Sequence, residues 1–189
     1  MTRPSRADLV RAAGGTIPDV IGPDLRVLFV GINPGLYSAA TGRHFARPGN
    51  RFWPALHLSG FTPRQFHPSE QAELLPLGLG ITNLVDRGTA RAAELTRAEL
   101  VAGRAALAAK ASRVRPRFVA IVGVTAYRTA FGRPSAVVGP AADPLGPSRV
   151  WVLPNPSGLN AHFRLERLVQ EFARLREAAG FSGNRPDDG

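Results

Sequence analysis

The sequence predicts an α/β protein, a three-layer α/β/α sandwich built around a short, mainly parallel central sheet. Short runs rich in Val, Ile, Leu and Phe alternate along the chain with segments of helical periodicity. These runs are apolar at nearly every position, which is typical of strands covered by helices on both faces. Strands that alternate with helices are in turn typical of a parallel sheet within one domain.

Four short runs are predicted to be strands. They are RVLFVGI at 26–32, GLGITNL at 78–84, FVAIVG at 118–123 and RVWVL at 149–153. β-branched and aromatic residues, which have the highest strand propensity, dominate the first, third and fourth runs. GLGITNL has the weakest pattern of the four.

Helices are predicted at 50–59, 96–113, 125–131 and 163–179. The second opens on Thr96 and Glu99, the spacing of a capping box, in which hydroxyl and carboxylate each satisfy a free backbone N–H. Gly132 and Gly180 follow the third and fourth helices, where a C-terminal cap favours glycine. The proline- and glycine-rich segment 132–148 is predicted to be a surface loop.

The whole chain, residues 1–189, is expected to form one domain with its core between about residues 25 and 179. The first dozen residues are polar and basic, and are expected to form a loose arm or a short helix. Residues 180–189 are expected to be a frayed C-terminal tail.

The composition excludes several classes of site. The chain has no cysteine, which rules out disulfides, thiolate zinc sites, iron–sulfur clusters and cysteine nucleophiles. No two of its four histidines have the i, i+4 spacing of a helical zinc pair, so no metal is expected. No other cofactor is expected either. The N-terminus lacks the apolar core of a signal peptide, and no apolar run approaches the roughly 18 residues of a membrane span. We therefore expect a cytoplasmic protein without a membrane partner.

The net charge favours a polyanionic partner. Lys and Arg number 24 against 14 Asp and Glu, which gives a formal charge of +10. Such an excess is typical of proteins that bind nucleic acid. Because Lys110 is the only lysine, an arginine-rich genome is an alternative explanation.

Two of the predicted strands run into Asn-Pro turns. GINPG begins at Gly31 and PNPSGL begins at Pro154. If both strands are parallel, both turns open on the same edge of the sheet, where sheets of this class bind ligands. Neither turn has the spacing of a dinucleotide-binding motif or a P-loop. The alternative is that both are ordinary turns.

Four motifs, in order, resemble those of the mismatch-specific uracil/thymine-DNA glycosylases, a branch of the uracil-DNA glycosylase superfamily. They are GINPG at 31–35, FARPGNRFW at 45–53, GITNLVDR at 80–87 and NPSGL at 155–159. The resemblance extends from about residue 25 to residue 179. It implies hydrolysis of an N-glycosidic bond in DNA after the base has been flipped out of the helix.

Two residues are assigned to catalysis. By the resemblance, Asn33 matches the asparagine that positions the attacking water; an amide cannot take a proton at neutral pH, so its role is orientation. Asp86 is assigned on chemical grounds, because a carboxylate near that water can act as general base and stabilise a cationic sugar. The alternatives for Asp86 are a salt bridge to Arg87 and a helix cap.

The resemblance assigns four residues to the base pocket: Ile32, Ser38, Phe45 and Asn83. Phe45 matches the aromatic that stacks on the flipped base, with an ordinary core position as the alternative. Ile32 would contribute backbone groups. Asn83 stands where a bacterial relative tends to carry lysine, which predicts looser base selectivity. Arg43, Arg47 and Arg51 flank Phe45 and either contact phosphates or are solvated surface charges.

The last motif matches the segment that fills the gap left by the flipped nucleotide and reads the widowed guanine, namely Asn155, Pro156, Ser157, Gly158 and Leu159. Bacterial members of the family commonly carry an arginine two positions after Leu159, where this chain has Ala161. Asn160, His162 and Arg164 are the alternatives for its role.

The resemblance therefore implies a monomeric DNA repair enzyme of the bacterial nucleoid that removes uracil, and related pyrimidines, opposite guanine in double-stranded DNA. No lysine lies in the motifs to form a Schiff base, so a monofunctional enzyme without strand cleavage is expected. The alternatives are a non-catalytic damaged-DNA-binding protein on the same fold and a hydrolase of free nucleosides.

Overall fold

The computed structural model of the protein describes residues 3–158 and 164–181. The strands in these ranges are β1 Val27–Gly31, β2 Leu79–Asn83, β3 Phe118–Val122, β4 Gly139–Pro140 and β5 Arg149–Leu153. The α-helices are α1 Arg6–Arg11, α2 Leu36–Thr41, α3 Phe52–Leu58, α4 Arg97–Val114, α5 Val124–Phe131 and α6 Leu165–Ala178. Two 3₁₀ segments, Pro68–Leu77 and Ala92–Glu94, lie before β2 and α4.

The sheet has the strand order β2-β1-β3-β5-β4. β1 pairs in parallel with β2 and β3, β3 pairs in parallel with β5, and β4 runs antiparallel to β5. The predicted α/β class with a mainly parallel sheet is confirmed. Each of the four predicted strands is found within one residue of its predicted bounds.

Alternate side chains of the strands enter two separate cores. Val27 and Phe29 of β1 pack in the cluster that includes α3 and α6. Leu28 and Val30 pack in the cluster that includes α4 and α5. All four side chains are fully buried, which explains why the strand reads as a continuous apolar run.

The outer edge of β2 is covered by the segment that precedes β1. Val20 and Ile81 exchange two backbone hydrogen bonds of 2.8 and 2.9 Å. Beside them, the Nζ of Lys110 lies 2.6 Å from a carboxylate oxygen of Asp19. The hydroxyl of Thr82 donates to the other oxygen of that carboxylate at 2.5 Å. Main-chain and ionic contacts therefore hold this segment against the strand that ends at Asn83.

The predicted helix ends are found, with small shifts in the bounds. Thr96 Oγ1 accepts from the N–H of Glu99 at 3.2 Å, and the Glu99 carboxylate accepts from the N–H of Thr96 at 2.8 Å, as a capping box requires. Gly132 ends α5 with a φ of 64°. The helix predicted from residue 163 begins at Leu165 in the described residues.

One prediction needs correction, one helix was not predicted, and one pair of alternatives is resolved. β4 lies inside the segment 132–148 that was predicted to be a loop, because its pairing comes from β5 and not from a local apolar pattern. α2 was not predicted, since six residues are too few to show helical periodicity. Of the two alternatives given for the first dozen residues, the short helix is found: residues 6–11 form α1, capped by Ser5. The tail beyond residue 181 lies outside the described residues.

Candidate active site

Both Asn-Pro turns lie at the same edge of the sheet, because β1 and β5 are each parallel to β3. The second turn packs on the segment that follows Phe45. The N–H of Arg51 donates to the carbonyl of Pro156 at 3.0 Å. A Cβ on Gly158 would lie 2.7 Å from the carbonyl oxygen of Gly49. Leu159, with Asn160 to His162, lies outside the described residues.

The amide of Asn33 is held in one orientation. Its Nδ2 donates to the carbonyl of Arg87 and to the hydroxyl of Thr89, both at 2.8 Å. The Thr89 hydroxyl donates its own proton to the carbonyl of Arg91 at 2.9 Å, so it can only accept from Asn33. In the described residues no donor contacts the Oδ1 of Asn33, so this oxygen is left as an acceptor for water.

Asp86 lies in the same loop as the groups that hold Asn33. Val85 before it donates its N–H to the carbonyl of Ile32 at 3.0 Å, and Arg87 after it accepts from Asn33. Asp86 is exposed and makes no hydrogen bond or ion pair with the described residues. Arg87 pairs instead with Glu99 at 2.7 Å, so the alternative of an Asp86–Arg87 salt bridge is not formed. The carboxylate is therefore available to solvent beside Asn33.

Phe45 and Asn83 meet across Gly31, the last residue of β1. A Cβ on Gly31 would lie 2.6 Å from the Oδ1 of Asn83 and 3.3 Å from the Cζ of Phe45. The ring of Phe45 stacks on the buried ring of Phe52, with centroids 4.0 Å apart. The half-buried Phe45 also lines a cavity of about 560 Å³. It is thus both a core contact and a pocket wall, so the two predicted alternatives do not exclude each other.

The amide of Asn83 has no hydrogen-bond partner in the described part of the chain, although the residue is only 7% exposed. Among the described residues only the indole N–H of Trp151 is both fully buried and unpaired, so the amide of Asn83 keeps some solvent contact and is available to a ligand. No protein hydrogen bond fixes which end of this amide donates. A bound base would set that orientation.

The backbone at Phe45 is left-handed, with a φ of 53°, and both flanking residues are anchored. The N–H of His44 donates to Gln71 at 2.9 Å, and the indole N–H of Trp53 donates to the carbonyl of His44 at 3.2 Å. The N–H of Ala46 donates to Ser38 Oγ at 3.2 Å. A non-glycine residue in this region costs of order 1–3 kcal/mol and persists where its surroundings enforce it. Ser38 therefore acts on the pocket by holding the turn of Phe45.

The His44 ring itself is buried, and its Nε2 lies 2.9 Å from the carbonyl of Pro18. A carbonyl only accepts, so Nε2 carries the hydrogen. Sequence analysis did not assign His44 to the site. Its place directly before Phe45 was the available signal, but its role depends on Pro18 and Gln71, which are distant in sequence.

Burial lowers the pKa of His44, and this predicts a pH-dependent stability. An unfolded histidine titrates near 6.5, so below that pH the unfolded chain binds a proton that the folded chain resists. We expect the urea midpoint of unfolding to be level above about pH 6.5 and to fall as the pH drops below it.

The matched control is His44→Gln, which should unfold at a lower urea concentration but with a flatter midpoint between pH 8 and pH 5. Glu70 and Glu99, whose pKa values are lowered to about 2 first of all by hydrogen bonds from Arg64 and Arg87, lower the stability only as the pH approaches their unfolded value of 4.5, and they do so in variant and wild type alike. Equal pH dependence in variant and wild type would show that another group is responsible.

Ile32 lies on the other side of the turn. Its carbonyl already accepts from Val85, and its side chain points at Gly123, where a Cβ would lie 3.0 Å from Ile32 Cδ1. Together with Pro154 and Asn155 these residues line a second cavity of about 630 Å³. The side chain of Ile32 is therefore directed away from Phe45.

Arg51 holds the second Asn-Pro turn. Its guanidinium donates to the carbonyl of Ser157 at 2.5 Å and to that of Pro156 at 3.4 Å. Within the turn, the N–H of Ser157 donates to Asn155 Oδ1 at 2.9 Å. The guanidinium of Arg51 thus holds the backbone of this turn, and the phosphate contact predicted for it stays a prediction.

Among residues 3–158 and 164–181, no group of three or more His, Asp or Glu side chains is placed to hold a metal ion. In the same ranges, no helix is both long and apolar enough to cross a membrane.

Comparison with known proteins identifies the family of this domain. The family model of the uracil DNA glycosylase superfamily matches residues 18–178. The fold is similar to the solution NMR structure of a protein from Methanosarcina acetivorans that has been proposed to be a uracil DNA glycosylase, with a TM-score of 0.59 and 18% identity. That match covers 87% of this chain and 97% of the other. At this identity the likeness is evidence for the fold alone.

Proposed function

Because the chain belongs to the uracil-DNA glycosylase superfamily, we propose that it is a mismatch-specific glycosylase that removes uracil opposite guanine. Its substrate is double-stranded DNA, from which the target nucleotide is flipped into the cavity that Phe45 lines. The product is an abasic site. The protein acts as a monomer on bacterial chromosomal DNA, and its formal charge of +10 supports a polyanionic partner.

The observation that carries this proposal is the convergence of Phe45 and Asn83 on Gly31, two residues before Asn33. An extruded base needs an aromatic face to replace its lost stacking, and Phe45 presents one. It also needs a partner for its pairing edge. The amide of Asn83 offers one donor and one acceptor, which match the O4 and N3–H of uracil.

The same amide, rotated by half a turn, matches the pairing edge of cytosine. Because no protein hydrogen bond fixes Asn83, this residue alone gives little selection between the two bases. The preference for a mismatch then depends on how easily the base leaves the helix and on the turn that ends in Leu159. A broad range of pyrimidine substrates is therefore part of the proposal.

The proposed reaction is hydrolysis of the N-glycosidic bond by water, and no covalent bond forms between the protein and its substrate. Asn33 Oδ1 accepts a hydrogen bond from a water and holds it beside the sugar. As the N1–C1′ bond breaks, the electron pair leaves with the base, and the water oxygen bonds to C1′. The Asp86 carboxylate takes the proton released by the water and stabilises the positive sugar.

A monofunctional reaction agrees with the position of the sole lysine. Lys110 Nζ is paired with Asp19 and donates to Thr82 at 2.7 Å, on the outer edge of β2. This amine is engaged in an ion pair and does not lie in any of the four motifs. Strand cleavage through a Schiff base is therefore not expected.

The direct test is incubation of excess protein with a duplex that carries one U·G pair, followed by alkali. We expect an alkali-labile site at the uracil, a slower reaction on U·A, and no strand break before the alkali. A shifted duplex with unchanged uracil would support the damaged-DNA-binding alternative. Hydrolysis of free deoxyuridine without action on the duplex would support the nucleoside hydrolase.

The role of Asp86 is tested by Asp86→Asn. We expect the single-turnover rate to fall about tenfold, since an exposed carboxylate is screened by water and contributes less than a buried base. Asp24→Asn is the matched control, because Asp24 is also exposed but precedes β1 at the opposite edge of the sheet. A full rate in Asp86→Asn would remove Asp86 from the mechanism and leave water orientation by Asn33.

A further inference from the structure

We propose that α1 and α2 form a basic trough that binds the sugar–phosphate backbone of the DNA strand next to the flipped nucleotide. This inference rests on the proposed function and extends its DNA interface to the N-terminal helix. None of the four motifs includes α1.

The trough is a cavity of about 790 Å³ between α1, α2 and the start of the first 3₁₀ segment. It meets the cavity of Phe45 along a common wall formed by Tyr37, Ala46, His67 and Pro68. A strand whose base enters the pocket of Phe45 therefore lies next to the trough, on the other side of this wall.

The charged groups that line the trough favour a polyanion. Arg3, Arg11 and Arg43 face it, and Asp8 is the carboxylate among its lining residues. Asp8 is paired with Arg11 at 2.5 Å and accepts from the hydroxyl and N–H of Ser5. These bonds lower the pKa of Asp8, those from Ser5 most. Arg3 and Arg43 are left to supply the positive field.

Backbone hydrogen bonds connect the trough to the loop that contains Asp86 and Arg87. The N–H of Gly14 donates to the carbonyl of Gly88 at 2.9 Å, and the N–H of Gly88 donates to the carbonyl of Gly15 at 2.8 Å. Gly88 follows Arg87, whose carbonyl holds Asn33. A preformed groove loses little conformational freedom on binding, so contacts between this groove and the sugar–phosphate backbone increase the affinity for DNA. They also fix the position of the strand relative to Asn33.

The contact with phosphates is tested by the salt dependence of binding. Each phosphate contact contributes about 0.9 to the slope of log K against log salt concentration. We expect the double variant Arg3→Gln/Arg43→Gln to bind an undamaged labelled duplex about tenfold more weakly at low salt, with a slope smaller by about two contacts. The control is Arg97→Gln/Arg113→Gln, two exposed positions on α4, which should bind like the wild type.

A second arm locates the contact. Duplexes with a non-hydrolysable uracil analogue opposite guanine are shortened on one side of the lesion at a time. We expect the difference between the double variant and the wild type to vanish when one particular flank is removed, and to persist when the other is removed.

Equal salt slopes for the double variant and the wild type would contradict the proposed phosphate contacts. An equal loss of duplex affinity in the α4 control would contradict them too. Loss of affinity for a polyglutamate peptide but not for the duplex would also overturn the proposal, in favour of an acidic protein partner. Binding to undamaged duplex does not require excision, so a protein that fails to remove uracil still tests the trough.

Discussion

Asn33→Ala is expected to lower the single-turnover rate of uracil excision by about 10²–10³, with little change in affinity for the duplex. Loss of one preorganised polar group at a reacting centre typically costs this much. The amide is fixed by Arg87 and Thr89 and presents a free oxygen, so its removal leaves the attacking water without a fixed position. The measurement is the excision rate with protein in excess over a U·G duplex.

Thr89→Val tests whether the orientation of the Asn33 amide, and not only its presence, contributes to the excision rate. The substitution keeps the volume of a buried side chain but removes the hydroxyl that accepts from Asn33. The carbonyl of Arg87 still holds the amide, so an intermediate loss of rate is expected. If Asn33→Ala keeps more than about a tenth of the wild-type rate, water positioning by Asn33 is not the main source of catalysis.

Gly31→Ala is expected to lower kcat/KM for uracil excision by about a hundredfold while changing the melting temperature little. The added Cβ would lie 2.6 Å from Asn83 Oδ1 and 3.3 Å from Phe45 Cζ, so both groups must move out of the base slot. These are ends of side chains and not backbone, so the fold can accommodate the methyl group. When the polar groups of a site no longer match those of its substrate, kcat/KM for that substrate falls strongly.

Gly35→Ala is the matched control in the same motif. Gly35 has a φ of −70°, and nothing lies within 4 Å of a Cβ built there. We expect it to keep nearly the wild-type activity. Equal activity of both glycine variants would mean that the base does not bind over Gly31, and the proposed pocket would be wrong.

Much of the fold was predictable because its signals are local. The strands whose side chains pack in both apolar cores appear in the sequence as continuous apolar runs. The capping box of Thr96 and Glu99 is a pattern of only four residues. β4 has no such signal, because Gly139 and Pro140 take their strand geometry from pairing with β5. α2 is missed for the same kind of reason, since its ends are set by Gly35 and Gly42 and not by a periodic face.

The candidate site was predictable only in part, because its parts meet through folding. Asn33 is recognisable within GINPG, but the hydroxyl that orients it is 56 positions away at Thr89. The roles of His44 and Arg51 depend on Pro18 and Pro156, which no local pattern connects to them. The sequence thus identifies the groups that contact a substrate more readily than those that hold them in place.

The two borders of the sheet have a consequence for how the protein behaves at high concentration. An open strand border is a template for pairing with another copy, and such pairing leads to fibres and precipitates. Here one border is occupied by the paired segment at Val20, and the other ends in a two-residue strand containing Pro140, which has no N–H to donate. Within residues 3–158 and 164–181, neither border offers a long run of free backbone groups, so the folded protein should resist self-association through its strands.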